Sequence, residues 1–193
     1  MIRIPNLDMF KDNFHSNPSQ LFDFAWDKLK LATTDYKSNF RNVAVSTVMK
    51  NFPSSRIMVL REVNLEEKSF IFFTDSKSNK YDVIIKNSHS SLLFWDSKSK
   101  LQIRINGNIY IIDDSKKWWN KLKEKSQMQY GSLPIPSTQI KESSSFELKS
   151  SFSRFAVLKF LSIDIDILDV SNKYNKRAFF ESENNWVGSW VVP

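Results

Sequence analysis

The sequence predicts a mainly β fold: a small antiparallel β-barrel, closed or split, with peripheral helices. Three observations predict it. Short apolar runs, several with period-two alternation, recur between residues 42 and 112 and again after 155, each bounded by polar turn residues. Helical spacing is confined to the edges, over 18–33, 78–86 and from 113 to about 127. The whole chain has three glycines, too few for the glycine-rich phosphate loops of parallel doubly wound sheets. The 193 residues suit a single domain. Its core barrel is expected over about 40–112 and is completed by C-terminal strands over 155–193, with a helical and loop insertion at 113–150.

Each element has a local reason. Asn17-Pro18 is a helix start, because Asn can cap and Pro is tolerated at the first helical position. Leu21, Phe22, Ala25, Trp26, Leu29 and Ala32 then recur at helical spacing, a stripe suited to packing on a sheet. Asn42–Lys50 alternates as a β-branched strand, and Asn51–Ser55 reads as its break. Strands over 56–63 and 69–74 flank the polar connector 64–68. Strands over 91–96 and 101–112 flank the hinge 97–100, and Gly107 marks a bulge or a close approach. Residues 128–145, with Gly131, Pro134, Pro136 and many serines, show no period. Two tandem strands, 155–160 and 163–170, and a final hairpin, 177–181 with 186–192, close the chain.

Composition narrows the chemistry. There is no cysteine, which removes disulfides, thiol nucleophiles and zinc–thiolate sites. His15 and His89 are too few and too far apart for a histidine metal site, so no metal is expected. No run approaches the roughly 20 apolar residues of a membrane span, and the N-terminus lacks a signal-like apolar core. A cytoplasmic protein with no membrane partner is the expectation. The net charge of +7 comes from lysines spread along the chain, without an arginine-rich arm or a nucleic-acid-binding motif. A solvated basic surface is expected rather than a nucleic-acid partner.

One region has the makings of an anion site, which needs fixed positive charge, hydroxyls and free backbone N–H groups. Arg56, Arg61, Thr74, Ser76, Lys77, Ser78 and Lys80 supply side chains, and Ser78-Asn79-Lys80 would open a helix. Arg56 and Arg61, five apart on a strand, point to opposite faces. A solvated Lys/Ser loop is the alternative reading of the same residues. His89 lies in a turn-like stretch, Asp164 and Asp166 suit a solvent-facing sheet side, and Trp186 and Trp190 suit core filling. No catalytic residue can be named from these.

Taken in order, Arg56–Arg61, Phe72-Phe73-Thr74, Ser78-Asn79-Lys80, Leu92-Leu93-Phe94, and Gln102 with Gly107 resemble the pyridoxamine 5'-phosphate oxidase-like family of FMN-binding split barrels. The resemblance covers roughly 20–112 and returns near Arg177 and the closing Trp–Pro segment. It implies FMN as cofactor. Arg56 and Arg61 match the basic pair on the phosphate and ribityl side, and the backbone of Ile57, Met58, Val59 and Leu60 would run beside the isoalloxazine. Phe73-Thr74 matches an aromatic–Thr pair, while Ser78 and Lys80 match the family's S-R-K loop. Asn79 replaces the arginine of that loop, a loss for which Lys77 could compensate. Gln102 matches a glutamine that reaches the ring from the partner subunit, and Arg177 a late arginine that also reaches flavin. The implied assembly is a homodimer with FMN at its interface. Lys173-Tyr174-Asn175 stands where the oxidases carry R-x-H, Leu168 stands where a tryptophan is expected, and the substrate-phosphate set is not recognisable in Trp118–Gln127. The resemblance therefore implies an FMN-dependent oxidoreductase acting on a small molecule, with a vitamin B6 phosphate as the substrate by analogy. An FMN-binding carrier or sensor without that activity is the alternative.

Overall fold

In the computed structural model the described residues are 15–193. They form nine antiparallel strands in one sheet and four helices. Helix α1 is Pro18–Leu31, and Asn17 caps it by accepting the Gln20 N–H at 2.9 Å. Strands β1 (Asn42–Met49), β2 (Phe52–Val59), β3 (Glu62–Asn64) and β4 (Ser69–Asp75) follow. Then come α2 (Asn79–Lys86), β5 (His89–Asp96) and β6 (Leu101–Ile112). The insertion holds α3 (Ser115–Trp119) and α4 (Glu124–Gln127). Strands β7 (Phe155–Asp169), β8 (Lys176–Glu181) and β9 (Ser189–Val191) complete the sheet. No helix among the described residues is long and apolar enough to cross a membrane.

The strand order is β2-β1-β5-β6-β7-β4-β3, with β8 beside β7 and β9 beside β8. The chain passes from β2 at one edge to β3 at the other through Leu60-Arg61 alone. That link curls the sheet on itself without a ladder between its edges, which is the split barrel the sequence predicts. Two backbone bonds pin the crossing: Leu60 N–H to the Arg41 carbonyl and Arg61 N–H to the Ile71 carbonyl, both 2.9 Å.

Inside the barrel, Val43, Val45, Met58, Leu60, Phe70, Phe72, Phe94, Ile103, Ile105 and Phe160 pack with Leu21, Ala25, Trp26 and Leu29 of α1. Trp26 stacks on Phe70, with ring centroids 5.4 Å apart. A second cluster lies under the insertion and joins Ile71, Trp118, Tyr130, Phe155 and Val157, with Phe73 against them. Strand β4 is therefore apolar on both faces, Phe70 and Phe72 inward and Ile71 and Phe73 outward, which explains its unbroken apolar run.

The structure departs from the sequence reading at five places. The reversal after β1 is only Lys50-Asn51, both at positive φ (49° and 66°), a two-residue hairpin turn. Pro53 lies inside β2 opposite Val48, tolerated because β2 is an edge strand. The predicted strand 56–63 divides into β2 and β3 at the edge crossing. The predicted tandem strands 155–160 and 163–170 are one strand, β7, since the bulge at Asn106/Gly107 absorbs the irregularity at Ser162. The predicted helix to Gln127 is two short helices, as five lysines over 116–125 repel along a single turn-rich stretch.

Gly107 is a close approach. A Cβ there would sit 2.0 Å from the Leu161 carbonyl oxygen and 2.7 Å from the Phe160 ring. We expect Gly107→Ala to destabilise the fold by about 1–3 kcal/mol, measured by thermal or urea unfolding. An unchanged midpoint would show that the bulge can move aside.

Candidate functional site

The end of β4, the start of α2 and the middle of β2 meet at one end of the barrel. Arg56 on β2 donates through Nη1 to the Val45 carbonyl (3.2 Å) and Thr47 Oγ1 (2.9 Å), and through Nη2 to Ser54 Oγ (2.9 Å). These contacts hold its guanidinium in a fixed, half-buried position. Across from it, Lys80 Nζ donates to Thr74 Oγ1 at 3.3 Å, and Thr74 Oγ1 lies 3.1 Å from Ser78 Oγ. Ser78 Oγ donates back to the Asp75 carbonyl at 2.7 Å, which shapes the β4–α2 loop. Lys77 and Asn79 lie exposed at the rim of that loop.

The charges here are not neutralised locally. Among the described residues, neither Arg56 nor Lys80 belongs to an ion pair. Burial pushes the Arg56 guanidinium below its ordinary value. Lys80 is also pushed down, first by burial and then by the charge of Arg56, with Asp75 opposing. Two partly desolvated cations and two hydroxyls are the donor chemistry that a doubly charged anion requires.

The other predicted residues fall into two separate places. Arg61 leaves the crossing on the opposite side from Arg56, as the five-residue spacing requires, and stacks over the Phe73 ring at 5.1 Å. Its Nε is buried without a hydrogen-bond partner, and it acts electrostatically on the buried Tyr130 phenol, which burial pushes up. Arg61 thus sits with Phe73 and Tyr130, not with Lys80. Of residues 57–60, Met58 and Leu60 fill the barrel core, Val59 is half-buried, and Ile57 is 64% exposed on the outer face. Because β2 is an edge strand, alternate backbone groups along it face away from β1.

Gln102 and Arg177 share one outward-facing row, since Gln102 pairs with Leu168 and Leu168 with Arg177. Arg177 donates to Asp166 through Nε (2.9 Å) and Nη2 (2.7 Å), and Arg104 Nη2 approaches the same carboxylate at 2.6 Å. Asp166 is therefore buried between two arginines rather than solvated, contrary to the alternation-based expectation. Asp164 bonds the Asn106 amide instead. Trp186 packs against the core, but Trp190 is largely exposed and fills nothing. His89 is an exposed strand residue.

Sequence reasoning missed Thr47, Ser54, Tyr130 and Arg154. Arg154 grips Asp75, the residue after Thr74, with Nε–Oδ1 3.0 Å and Nη2–Oδ2 2.5 Å. Nothing local signals a pairing across 79 residues.

The described strands form an antiparallel split barrel with two partly buried cations and two hydroxyls gathered at one end. Residues 23–113 match the model of the pyridoxamine 5'-phosphate oxidase FMN-binding domain. Over that stretch, just under half of its length, the chain is similar to the pyridoxamine 5'-phosphate oxidase FMN-binding domain, and the match supports FMN as its cofactor. The pyridoxine/pyridoxamine 5'-phosphate oxidase of Actinobacillus pleuropneumoniae serotype 5b (strain L20) is 33% identical over 102 residues, 53% of this chain and 46% of that protein. The chain thus spans about half the length of this curated relative. The oxidase of Legionella pneumophila (strain Lens) is 25% identical over 188 residues, 97% of this chain and 77% of its own. Two solved structures share the fold. One is a pyridoxamine 5'-phosphate oxidase-related, FMN binding protein from Nostoc punctiforme PCC 73102 (TM-score 0.72, 20% identity, 89% of this chain and 97% of that one). The other is PhzG from Burkholderia lata 383, in complex with tetrahydrophenazine-1-carboxylic acid (TM-score 0.68, 17% identity, 100% and 98%).

The lowered Lys80 value sets a pH dependence. In the ligand-free fold Lys80 binds its proton more weakly than in the unfolded chain, so this group adds stability as pH rises through its lowered value toward 10.5. An anion between Arg56 and Lys80 reverses that shift, so its affinity falls over the same window. Titrating FMN into apoprotein between neutral and alkaline pH should show this decline below 10.5, and Lys80→Met should flatten it. A profile unaltered by Lys80→Met would remove Lys80 from the anion site.

Proposed function

We propose that the chain is an FMN-dependent oxidoreductase that acts as a homodimer on a small-molecule substrate. Arg56, Thr74, Ser78 and Lys80 hold the FMN phosphate, with Lys77 and Asn79 at the rim of the same loop. The outward backbone edge of Ile57, Met58, Val59 and Leu60 runs beside the isoalloxazine. Arg61 and Phe73 lie on the opposite face of the sheet, beneath the insertion, and take no part in holding the phosphate in this reading. The observation that carries this reading is the pair of fixed cations, Arg56 and Lys80, facing hydroxyls with no carboxylate partner among the described residues. That donor set fits a phosphate monoester, the charged end of FMN.

The positions of Gln102 and Arg177 support the dimer reading. Arg56 turns inward, toward Thr47, whereas Gln102 and Arg177 lie on the outer face of the same sheet. Along β7 the Gln102 row meets Leu168 and the Thr74 row meets Ala156, a separation of roughly 40 Å of extended strand. One flavin cannot bridge those rows within a single chain, but a second copy can supply the outer row. Ile57, Leu93 and Trp95, exposed beside that row, give the second copy an apolar surface to cover.

Bound FMN supplies the two-electron chemistry, taking a hydride equivalent and passing electrons to an acceptor. The chain's part is to hold the phosphate, align the ring along β2 and exclude water with the aromatic cluster of the insertion. A vitamin B6 phosphate is the substrate reading that extends the relatives' names. A second reading, an FMN carrier or sensor without that activity, is favoured by Lys173-Tyr174-Asn175 and by the packing of Arg61 against Phe73 and Tyr130.

The purified protein should show flavin absorption bands and release about one FMN per chain. Arg56→Met should weaken FMN binding by roughly 10–100-fold, the worth of a charge-assisted contact. A colourless protein that takes up no added FMN would sink both readings. Turnover of pyridoxamine 5'-phosphate or pyridoxine 5'-phosphate, assayed on the flavin-loaded protein, separates the oxidase from the carrier.

A further inference from the structure

The carboxylate of Asp75 is out of place beside an anion site. It belongs to the last residue of β4, directly after Thr74, and its side chain is 7% exposed. Its backbone carbonyl accepts the Ser78 hydroxyl and N–H, and its Oδ1 accepts the Lys77 N–H at 2.8 Å. The loop that supplies Ser78 and Lys80 is therefore wound around Asp75. Left alone, a buried carboxylate here would repel an incoming phosphate and would be costly to desolvate.

Arg154 removes that obstacle. Its guanidinium, 12% exposed, takes both Asp75 oxygens, and its Nη1 donates to the Ser132 carbonyl at 2.6 Å. The Arg154 carbonyl accepts the Ser76 N–H at 2.7 Å. One residue thus joins the β4–α2 loop, the start of β7 and the long 128–150 segment.

We infer that Arg154 is a positioning residue for the FMN phosphate. It acts through Asp75, cancelling a buried negative charge at the edge of the anion site and fixing the loop that carries Ser78 and Lys80. The inference rests on the reading of Arg56, Thr74, Ser78 and Lys80 as the phosphate site. The effect is electrostatic and local, so it is confined to the charged end of the cofactor. Riboflavin, the same ring without the phosphate, should be indifferent to it.

Fluorescence titrations of apoprotein with FMN and with riboflavin test this. Wild-type protein should prefer FMN, and a wild type without that preference would overturn the phosphate-site reading itself. Arg154→Met should weaken FMN by about tenfold or more and leave riboflavin within about twofold. Adding Asp75→Asn to Arg154→Met should restore most of the FMN affinity, because the uncompensated charge is gone. A parallel loss of both flavins, or a double variant no better than Arg154→Met, would show that Arg154 is only a strut. If Arg154→Met does not fold, Asp75→Asn alone decides. It leaves Arg154 unneutralised near the phosphate, so the preference for FMN over riboflavin should rise about threefold or more, and a preference that stays level or falls overturns the inference.

Discussion

The rest of the molecule depends on β4 being buried on both of its faces. Phe70 and Phe72 complete the barrel interior, while Ile71 and Phe73 seat the insertion through Trp118, Tyr130 and Phe155. Burial of four large side chains on one seven-residue strand, at about 1.5–3 kcal/mol each, makes it the most constrained segment of the sheet. Its C-terminus is therefore a rigid platform. Thr74 and Asp75 project from that platform, and the α2 loop closes around Asp75 through Ser78 and Lys77. A site built on the end of a doubly packed strand holds its donors in place before any ligand arrives.

The edge crossing supplies the other half. Leu60 is fully buried, its own N–H is bonded to the Arg41 carbonyl and the Arg61 N–H to the Ile71 carbonyl, so β2 cannot slide relative to β4. Arg56, four residues upstream, is held by Val45, Thr47 and Ser54 on adjoining backbone. A one-residue slip would turn Arg56 outward and expose Met58 and Leu60. The same register that closes the core thus aims the guanidinium, and packing energy is converted into the position of a charge.

Much of this was legible in the chain. The alternation of Asn42–Lys50, the FIFF run and the Asn17-Pro18 cap each reflect a local rule, and each element formed. Of the residues read as an anion set, Arg56, Thr74, Ser78 and Lys80 lie at one end of the barrel, Lys77 lies exposed at the rim of the loop, and Arg61 packs on Phe73 instead. What escaped depended on partners distant in sequence. The strict alternation around Asp164 and Asp166 suggested a solvated face, yet cross-strand register brings Arg104 and Arg177 onto Asp166. The Leu161-Ser162 step looked like a strand break because β7 bulges there, with Ile163 the extra residue opposite Asn106 and Gly107 of β6. Pro53-Ser54-Ser55 outweighed Lys50-Asn51 as a turn signal because lysine at positive φ is uncommon. Arg154 carried no signal at all, since its meaning comes from a carboxylate on another strand.

The distribution of charge follows from these placements. Two of the three buried sheet carboxylates are matched to arginine, Asp75 to Arg154 and Asp166 to Arg104 and Arg177, while Asp169 accepts the Ser171 N–H at 2.8 Å. Arg56 and Lys80 are the cations left facing each other at the barrel end, and burial lowers the affinity of both for their protons. Such an arrangement is unfavourable in the empty protein, and an anion bound between the cations would stabilise the fold by an amount set by ligand concentration relative to its dissociation constant. The pairing of Asp75 is what makes this possible: with that carboxylate unmatched, the field at the barrel end would be divided between attraction and repulsion. The outer face follows the opposite rule. There Arg177 is already paired with Asp166 through Nε and Nη2, so its guanidinium is oriented by the sheet and its charge is matched within the chain.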